Sequence, residues 1–164
     1  MRVNIEKSEM FTAVLESTIN KKIYHPITGL TNDSRQIQKG DLYIAMNGQY
    51  NDGHKFLDDV NEKGASAAIV QKLNNGIELQ QLQVQNTMET LKELATNWRK
   101  NFDFPIIAIT GSNGKTSSKD LLLHILSKDL KVHATKGNFN TAVGLCFTIF
   151  ELQSYHDLAI FELG

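Results

Sequence analysis

Ile106-Ile107-Ala108-Ile109-Thr110-Gly111-Ser112-Asn113-Gly114-Lys115-Thr116 is the stretch that decides how this chain folds. Pro105 introduces an apolar run that reads as a strand buried on both faces. After the glycines, Leu121, Leu122, Ile125, Leu126 and Leu130 recur at helical spacing and mark one face of a helix over 115–128. Strand, glycine loop and helix together make the usual cradle for a nucleotide's phosphates. Glycines let backbone N–H groups curl around phosphate oxygens, and the helix N-terminus adds partial positive charge. Lys115 is placed to reach the β- and γ-phosphates, and the Thr116 hydroxyl to ligate Mg²⁺. The position five residues before Gly114 is Ile109, so this is the short T-G-x-x-G-K-T form starting at Thr110. A glycine turn followed by a solvated lysine is the plain alternative, and the flanking strand and helix argue against it.

Beyond the loop the pattern continues as a strand over 131–135, a helix over 140–151 and a strand over 158–163. This alternation implies parallel βαβ units with right-handed crossovers. Three strands and two helices would leave apolar surface uncovered, so the expectation is a domain cut short at Gly164. Before the loop, a helix in 1–20 carries Phe11, Val14 and Leu15, followed by strands at 27–31 and 41–46. A helix around 54–62, a strand at 65–70 and a strand at 82–84 come next. Thr87 is read as the cap of a helix presenting Leu91, Leu94, Ala95 and Trp98. The segment 101–105 breaks that helix and marks a domain boundary.

Composition narrows the class. The chain has 164 residues, 41% hydrophobic and 21% charged, as expected for one ordinary globular domain or two small ones. A net charge of −1 without a basic block lacks the electrostatic footprint of a nucleic-acid binder. No run has signal-peptide or membrane-spanning character, which suits a cytoplasmic protein. Cys146 is the only cysteine, so no internal disulfide or thiolate cluster can form, and its apolar setting suits a buried small hydrophobe. His54 and His133 lack companion ligands at metal-binding spacing and read as structural hydrogen-bonders.

Residues 31–54 are dense in polar and glycine positions. Arg35 offers a planar fork for a phosphate or for Asp33, and Ser34 with the 48–51 turn could bind a base or sugar. On chemistry alone, two surface loops with Asp33 and Arg35 paired structurally are the preferred reading. Glu162 ends the apolar strand at 158–163, at the carboxyl edge where α/β sites gather; beside a phosphate loop a metal role is preferred over an exposed strand end. Asn138 and Asn140 could orient phosphate or substrate, or could cap the following helix, and the residues do not choose between these.

Several motifs then coincide. Asp33-Ser34-Arg35, Gly40-Asp41-Leu42-Tyr43, Asn51-Asp52-Gly53-His54 and Gly64-Ala65 resemble, in order and spacing, the Mur ligases, ATP-dependent enzymes of peptidoglycan precursor synthesis. Thr110–Thr116 looks like that family's ATP loop. Lys119, Gly137-Asn138-Phe139-Asn140 and Phe161-Glu162-Leu163-Gly164 are similar to the members that add D-alanyl-D-alanine rather than the third peptide residue. Departures are Asn140-Thr141 where Asn-Asn is usual, Cys146 where proline is usual, and Ser117 after Thr116.

The resemblance implies an α/β chain in two parts. A small N-terminal α/β substrate domain, 1–103, would bind the UDP precursor. The first part of a P-loop, mostly parallel-sheet ATPase domain would occupy 104–164. By position, Asn32, Ser34 and the Gln49-Tyr50-Asn51 turn would contact the uridine diphosphate end of the substrate, with Arg35 in support. Thr110, Gly111, Ser112, Asn113, Gly114, Lys115 and Thr116 would bind ATP, Lys115 acting catalytically. Thr116 and Glu162 would serve Mg²⁺, and Asn138 and Asn140 the substrate. The implied activity joins D-alanyl-D-alanine to UDP-N-acetylmuramoyl-tripeptide through an acyl phosphate, in a protein expected to be monomeric, with this piece inactive alone. The related third-residue ligase and a non-catalytic UDP-sugar or nucleotide-binding module are the alternatives. A nucleotide kinase is disfavoured because the early glycine is missing and the arginines are only Arg2, Arg35 and Arg99.

Overall fold

The computed structural model describes residues 1–48, 52–137 and 139–164. The chain divides into two compact units, Met1–Asn97 and Trp98–Gly164. Both are mixed α/β.

In the first unit, β1 (Arg2–Asn4), β2 (Gly29–Thr31), β3 (Asp41–Ile44), β4 (Ala67–Val70) and β5 (Gln80–Gln83) form one sheet in that order. Only the β1–β2 pairing is antiparallel. Its helices are α1 (Ser8–Ile19), α2 (Leu57–Glu62) and α3 (Thr87–Arg99), the last crossing the division between the units. Successive strand residues point to opposite faces. Tyr43, Ala68 and Val70 therefore join Leu57 and Val60 of α2 in one buried cluster. The oppositely directed Leu42, Ile44 and Ile69 are equally buried. Sheets of this parallel kind carry apolar runs rather than alternation because both faces are covered.

The three-residue β1 escapes sequence reading because it is too short for a periodicity. A long-range ion pair fixes it instead. Arg2 donates from Nε and Nη2 to Asp41 Oδ2 and Oδ1, at 2.7 and 2.8 Å, and the Gln38 N–H adds a third bond at 3.0 Å. Asp41 is fully buried. A Cβ on Gly29 would lie 2.2 Å from Asp41 Oδ1, so the close approach needs glycine. The cap of α3 is Asn86, not Thr87: Asn86 Oδ1 accepts from the N–H groups of Met88 (2.9 Å) and Glu89 (3.1 Å).

In the second unit, β6 (Ile106–Ile109), β7 (Val132–Ala134) and β8 (Leu158–Glu162) form an all-parallel sheet in the order β6-β8-β7, with helices α4 (Lys115–Leu126) and α5 (Ala142–Phe150). Central β8 is buried along its whole length. Strand β6 is at the edge of this three-stranded sheet and only partly buried, with Ala108 exposed, so within this chain its two faces are not both covered, as expected where two helices serve three strands. The apolar face read for α4 also splits. Leu122 and Leu126 are half-buried, whereas Leu121 and Ile125 are exposed, and Lys119 takes the buried position. The lead into β6 is tied down by Arg99, whose guanidinium donates to the Phe102 carbonyl and, at 2.7 Å, to that of Phe104.

His133 on β7 is buried and donates from Nε2 to the Thr148 carbonyl at 2.9 Å, with its ring stacked on His156 at 5.1 Å. Burial lowers the pKa of both rings, and His133 pushes His156 down further. A histidine with a depressed folded pKa takes up its proton first in the unfolded chain. Stability is therefore full above the ordinary value of 6.5 and declines as pH falls below it. Thermal unfolding of the second unit should move to lower temperature between about pH 7.5 and about pH 5. His133→Gln, which keeps an N–H and cannot titrate, should flatten that dependence; an unchanged slope would remove His133 as its source.

Candidate phosphate-loop site

The loop of residues 110–114 is built by glycine conformations. Gly111 has φ +146° and Gly114, directly before α4, has φ +74°, so both occupy backbone regions that L side chains rarely adopt. The Lys115 ammonium folds back over the loop and donates to the Gly111 carbonyl at 2.6 Å. That contact is solvent-exposed, and a phosphate oxygen would be a stronger, charge-assisted partner.

The floor of the site comes from β8. Parallel pairing sets Glu162 opposite Ile109, the last residue of β6 before the loop. Glu162 is 1% exposed. Its Oε1 accepts from Thr116 Oγ1 at 3.1 Å and from Asn140 Nδ2 at 3.0 Å, and its backbone N–H donates to Thr135 Oγ1 at 3.0 Å. Its Oε2 is buried and, among the described residues, has no hydrogen-bond donor. Lys119 Nζ lies 3.8 Å from that oxygen. Gly114, Lys115, Thr116, Asn140 and Glu162 border a cavity of about 350 Å³. The structure thus brings Lys115, Thr116, Asn140 and Glu162 together at one mouth.

Asn140 does not cap the helix that follows it. Thr141 does, its Oγ1 accepting from the Gly144 N–H at 3.2 Å, which leaves the Asn140 amide turned to Glu162. Lys119 is buried against this carboxylate, a contact that its place on the helix does not signal in the sequence. A hydroxyl and a carboxylate are oxygen donors suited to a hard cation, and Mg²⁺ takes one or two protein ligands with water and phosphate supplying the rest. Thr116 Oγ1 and Glu162 Oε1, 3.1 Å apart, are the two such oxygens that meet at this mouth. Among the described residues, no group of three His, Cys, Asp or Glu is placed to hold a metal by itself.

The first unit has its own cavity, about 560 Å³, bordered by Asn32, Ser34, Arg35, Tyr43 and Phe56. Arg35 is bound to Asp33 by two hydrogen bonds, Nε at 2.8 Å and Nη2 at 2.7 Å, while Asp33 Oδ1 also accepts the Arg35 N–H at 3.1 Å. The structural pairing weighed for these residues is the one present. Hydrogen bonding from Arg35 holds the Asp33 carboxyl down at about 2. Ser34 is buried, and Tyr43, whose hydroxyl donates to the Gly53 carbonyl at 3.2 Å, is pushed up to about 12 by burial. His54 joins Asp52 through Nδ1 at 2.6 Å and accepts the Gln71 N–H on Nε2 at 2.9 Å, a structural role. Gln49, Tyr50, Asn51 and Asn138 lie outside the described residues.

With this geometry in hand, comparison with known proteins is decisive at the family level. The Mur ligase middle domain matches residues 109–164, and the domain described as Mur ligase family, catalytic domain, matches residues 26–99. The chain belongs to the Mur ligase family. It is 36% identical over 140 residues to the UDP-N-acetylmuramoyl-tripeptide–D-alanyl-D-alanine ligase of Synechocystis, covering 84% of this chain and 31% of that protein. Identity to the enzyme of the same name from Rickettsia prowazekii is 41% over 135 residues, covering 80% and 29%. Among solved structures, the Acinetobacter baumannii D-alanyl-D-alanyl ligase matches with TM-score 0.87 and 31% identity, covering 93% of this chain and 36% of that one. The Thermotoga maritima MurF ligase in complex with ADP matches with TM-score 0.75 and 30% identity, covering 81% and 31%. This Mur ligase chain therefore spans about a third of the length of the relatives it matches. No helix among its described residues is long and apolar enough to cross a membrane.

The Asp33–Arg35 pair is the most direct check on the first cavity. Arg35→Ala should let the Asp33 carboxyl rise from about 2 toward its ordinary 3.8, followed by NMR titration. The stability cost should be small because the arginine is exposed and its ion pair is screened by water. An Asp33 that titrates unchanged would show that something other than Arg35 holds it.

Proposed function

We propose that this chain is the precursor-binding and ATP-loop part of a ligase that joins D-alanyl-D-alanine to UDP-N-acetylmuramoyl-tripeptide in cytoplasmic peptidoglycan precursor synthesis. The observation that carries the reading is the convergence of Lys115, Thr116, Asn140 and Glu162 on one cavity at the end of β6 and β8. Similarity to ligases of that name over more than four-fifths of the chain supports the substrate assignment. In this reading the first unit takes the UDP precursor and the second carries the ATP loop, with the division at Asn97–Trp98 where the sequence suggests 103–104.

In this scheme the terminal carboxylate of the tripeptide attacks the γ-phosphorus of ATP, ADP departs, and the amine of D-alanyl-D-alanine displaces phosphate from the acyl phosphate. Lys115 exchanges its Gly111 carbonyl for phosphate oxygens and neutralises the charge that develops on the transferring group. The backbone N–H groups of Thr110–Thr116 hold the remaining phosphate oxygens. Thr116 and Glu162 would hold Mg²⁺, which when bound would supply further charge neutralisation on the phosphates. Asn140, and with it Asn138, orients phosphate or substrate beside the carboxylate. Asn32 and Ser34, with Gln49, Tyr50 and Asn51 by their place in the sequence, receive the uridine diphosphate end, while Arg35 stays on Asp33 and shapes that cavity.

The two sites are separable by experiment. Lys115→Ala in the full-length ligase should lower kcat by roughly a hundredfold or more. Calorimetric affinity for the UDP-precursor should stay within about twofold, since the substitution lies in the other unit. Wild-type turnover in the variant would remove Lys115 from the chemistry.

A further inference from the structure

Lys119 lies one helical turn beyond Lys115, yet it is 2% exposed. Lysines buried to this degree are rare unless paired. Among the described residues its ammonium meets the Gly137 carbonyl, to which it donates at 3.2 Å, Asp120 Oδ1 at 3.3 Å and Glu162 Oε2 at 3.8 Å. The Asp120 side chain is largely exposed, so water screens that contact. Glu162 is the buried partner, and the oxygen facing Lys119 is the one that receives no hydrogen bond. In a low-dielectric setting an ammonium at this distance is a strong compensating charge even without a hydrogen bond. The two carboxylate oxygens are thus divided, with Oε1 turned to Thr116 and Asn140 at the cavity and Oε2 turned to Lys119 behind it.

We propose that Lys119 is a positioning residue, a resident counter-charge that braces the Glu162 carboxylate from behind, keeps Oε1 aimed at Thr116, and sets how tightly a divalent cation binds in front. The inference rests on the reading that Glu162 serves a cation. The ammonium compensates the carboxylate before the ion arrives, so the carboxylate is already oriented. It then repels the arriving ion and moderates its affinity. The competing explanation is that Lys119 only anchors the Gly137 carbonyl, in which case Glu162 would be irrelevant to its effect.

A double-substitution cycle separates these. In the cation-free chain, Lys119→Met should lower the thermal midpoint by roughly 10 °C or more, because it strands a buried carboxylate. Lys119→Met combined with Glu162→Gln should recover much of that loss. Titration of Mn²⁺ in the presence of ADP, followed by electron paramagnetic resonance, should show roughly tenfold tighter binding for Lys119→Met and roughly tenfold weaker binding for Glu162→Gln. Mn²⁺ with ADP should also raise the midpoint of Lys119→Met more than that of the wild type. Losses that simply add in the double variant, or wild-type Mn²⁺ affinity in Lys119→Met, would overturn the proposal. If Lys119→Met does not fold, a folded double variant supports the proposal and an unfolded one refutes it. Wild-type Mn²⁺ affinity in Glu162→Gln would defeat the cation reading itself, and this proposal with it.

Discussion

The parallel pairing of β6 with β8 is the constraint on which the phosphate-loop site depends. It sets Glu162 opposite Ile109, one residue before the loop begins, and brings a buried carboxylate level with the first turn of α4. The Leu163 N–H donates to the Ile109 carbonyl at 2.9 Å, and the Gly164 N–H to that of Asn140 at 3.0 Å, so the pairing continues past the strand and secures the Asn140 segment as well. A slip of one residue would turn every β8 side chain to the opposite face and put Phe161 where the carboxylate stands. Loop, helix start and Asn140 are therefore positioned by one ladder of backbone hydrogen bonds.

Each unit contains a buried carboxylate paired with a cation, and the two differ in how completely they are satisfied. Asp41 accepts two hydrogen bonds from Arg2 and one from the Gln38 backbone, and its oxygens have no unspent demand. That arrangement is structural: it fastens β1 onto the sheet. Glu162 has one oxygen doubly bonded and the other facing an ammonium at 3.8 Å without a hydrogen bond. Burying a charge is costly unless its partners are good, and of the two carboxylates Glu162 is the less completely satisfied.

Local chemistry was legible in the sequence, and tertiary chemistry was not. Gly111, Gly114, Lys115 and Thr116 declare the loop because strand, glycines and helix adjoin in the chain. Most strands and helices were placed by periodicity for the same reason. The apolar run of β6 suits burial on both faces, yet in this three-stranded sheet the strand is only partly buried, because two helices leave part of the apolar surface uncovered. Leu121 and Ile125 were read with Leu122 onto one face, yet the buried position went to Lys119, whose partner Glu162 is 43 residues away. β1 was missed because its anchor is the Arg2–Asp41 pair, 39 residues apart. For Arg35 and for Asn140 the sequence left two readings open. The structure pairs Arg35 with Asp33 and turns Asn140 to Glu162, and Thr141, not Asn140, is the cap.

The central claim is that the 110–116 loop and Glu162 form one phosphate-and-cation site. Crystals of the chain grown with ADP and Mn²⁺, measured at the manganese absorption edge, test it most directly. The account predicts an anomalous peak beside Thr116 Oγ1 and Glu162 Oε1, with the β-phosphate against the loop amides and Lys115 drawn off the Gly111 carbonyl. A manganese peak away from Glu162, or a nucleotide bound with Lys115 still on Gly111, would contradict it.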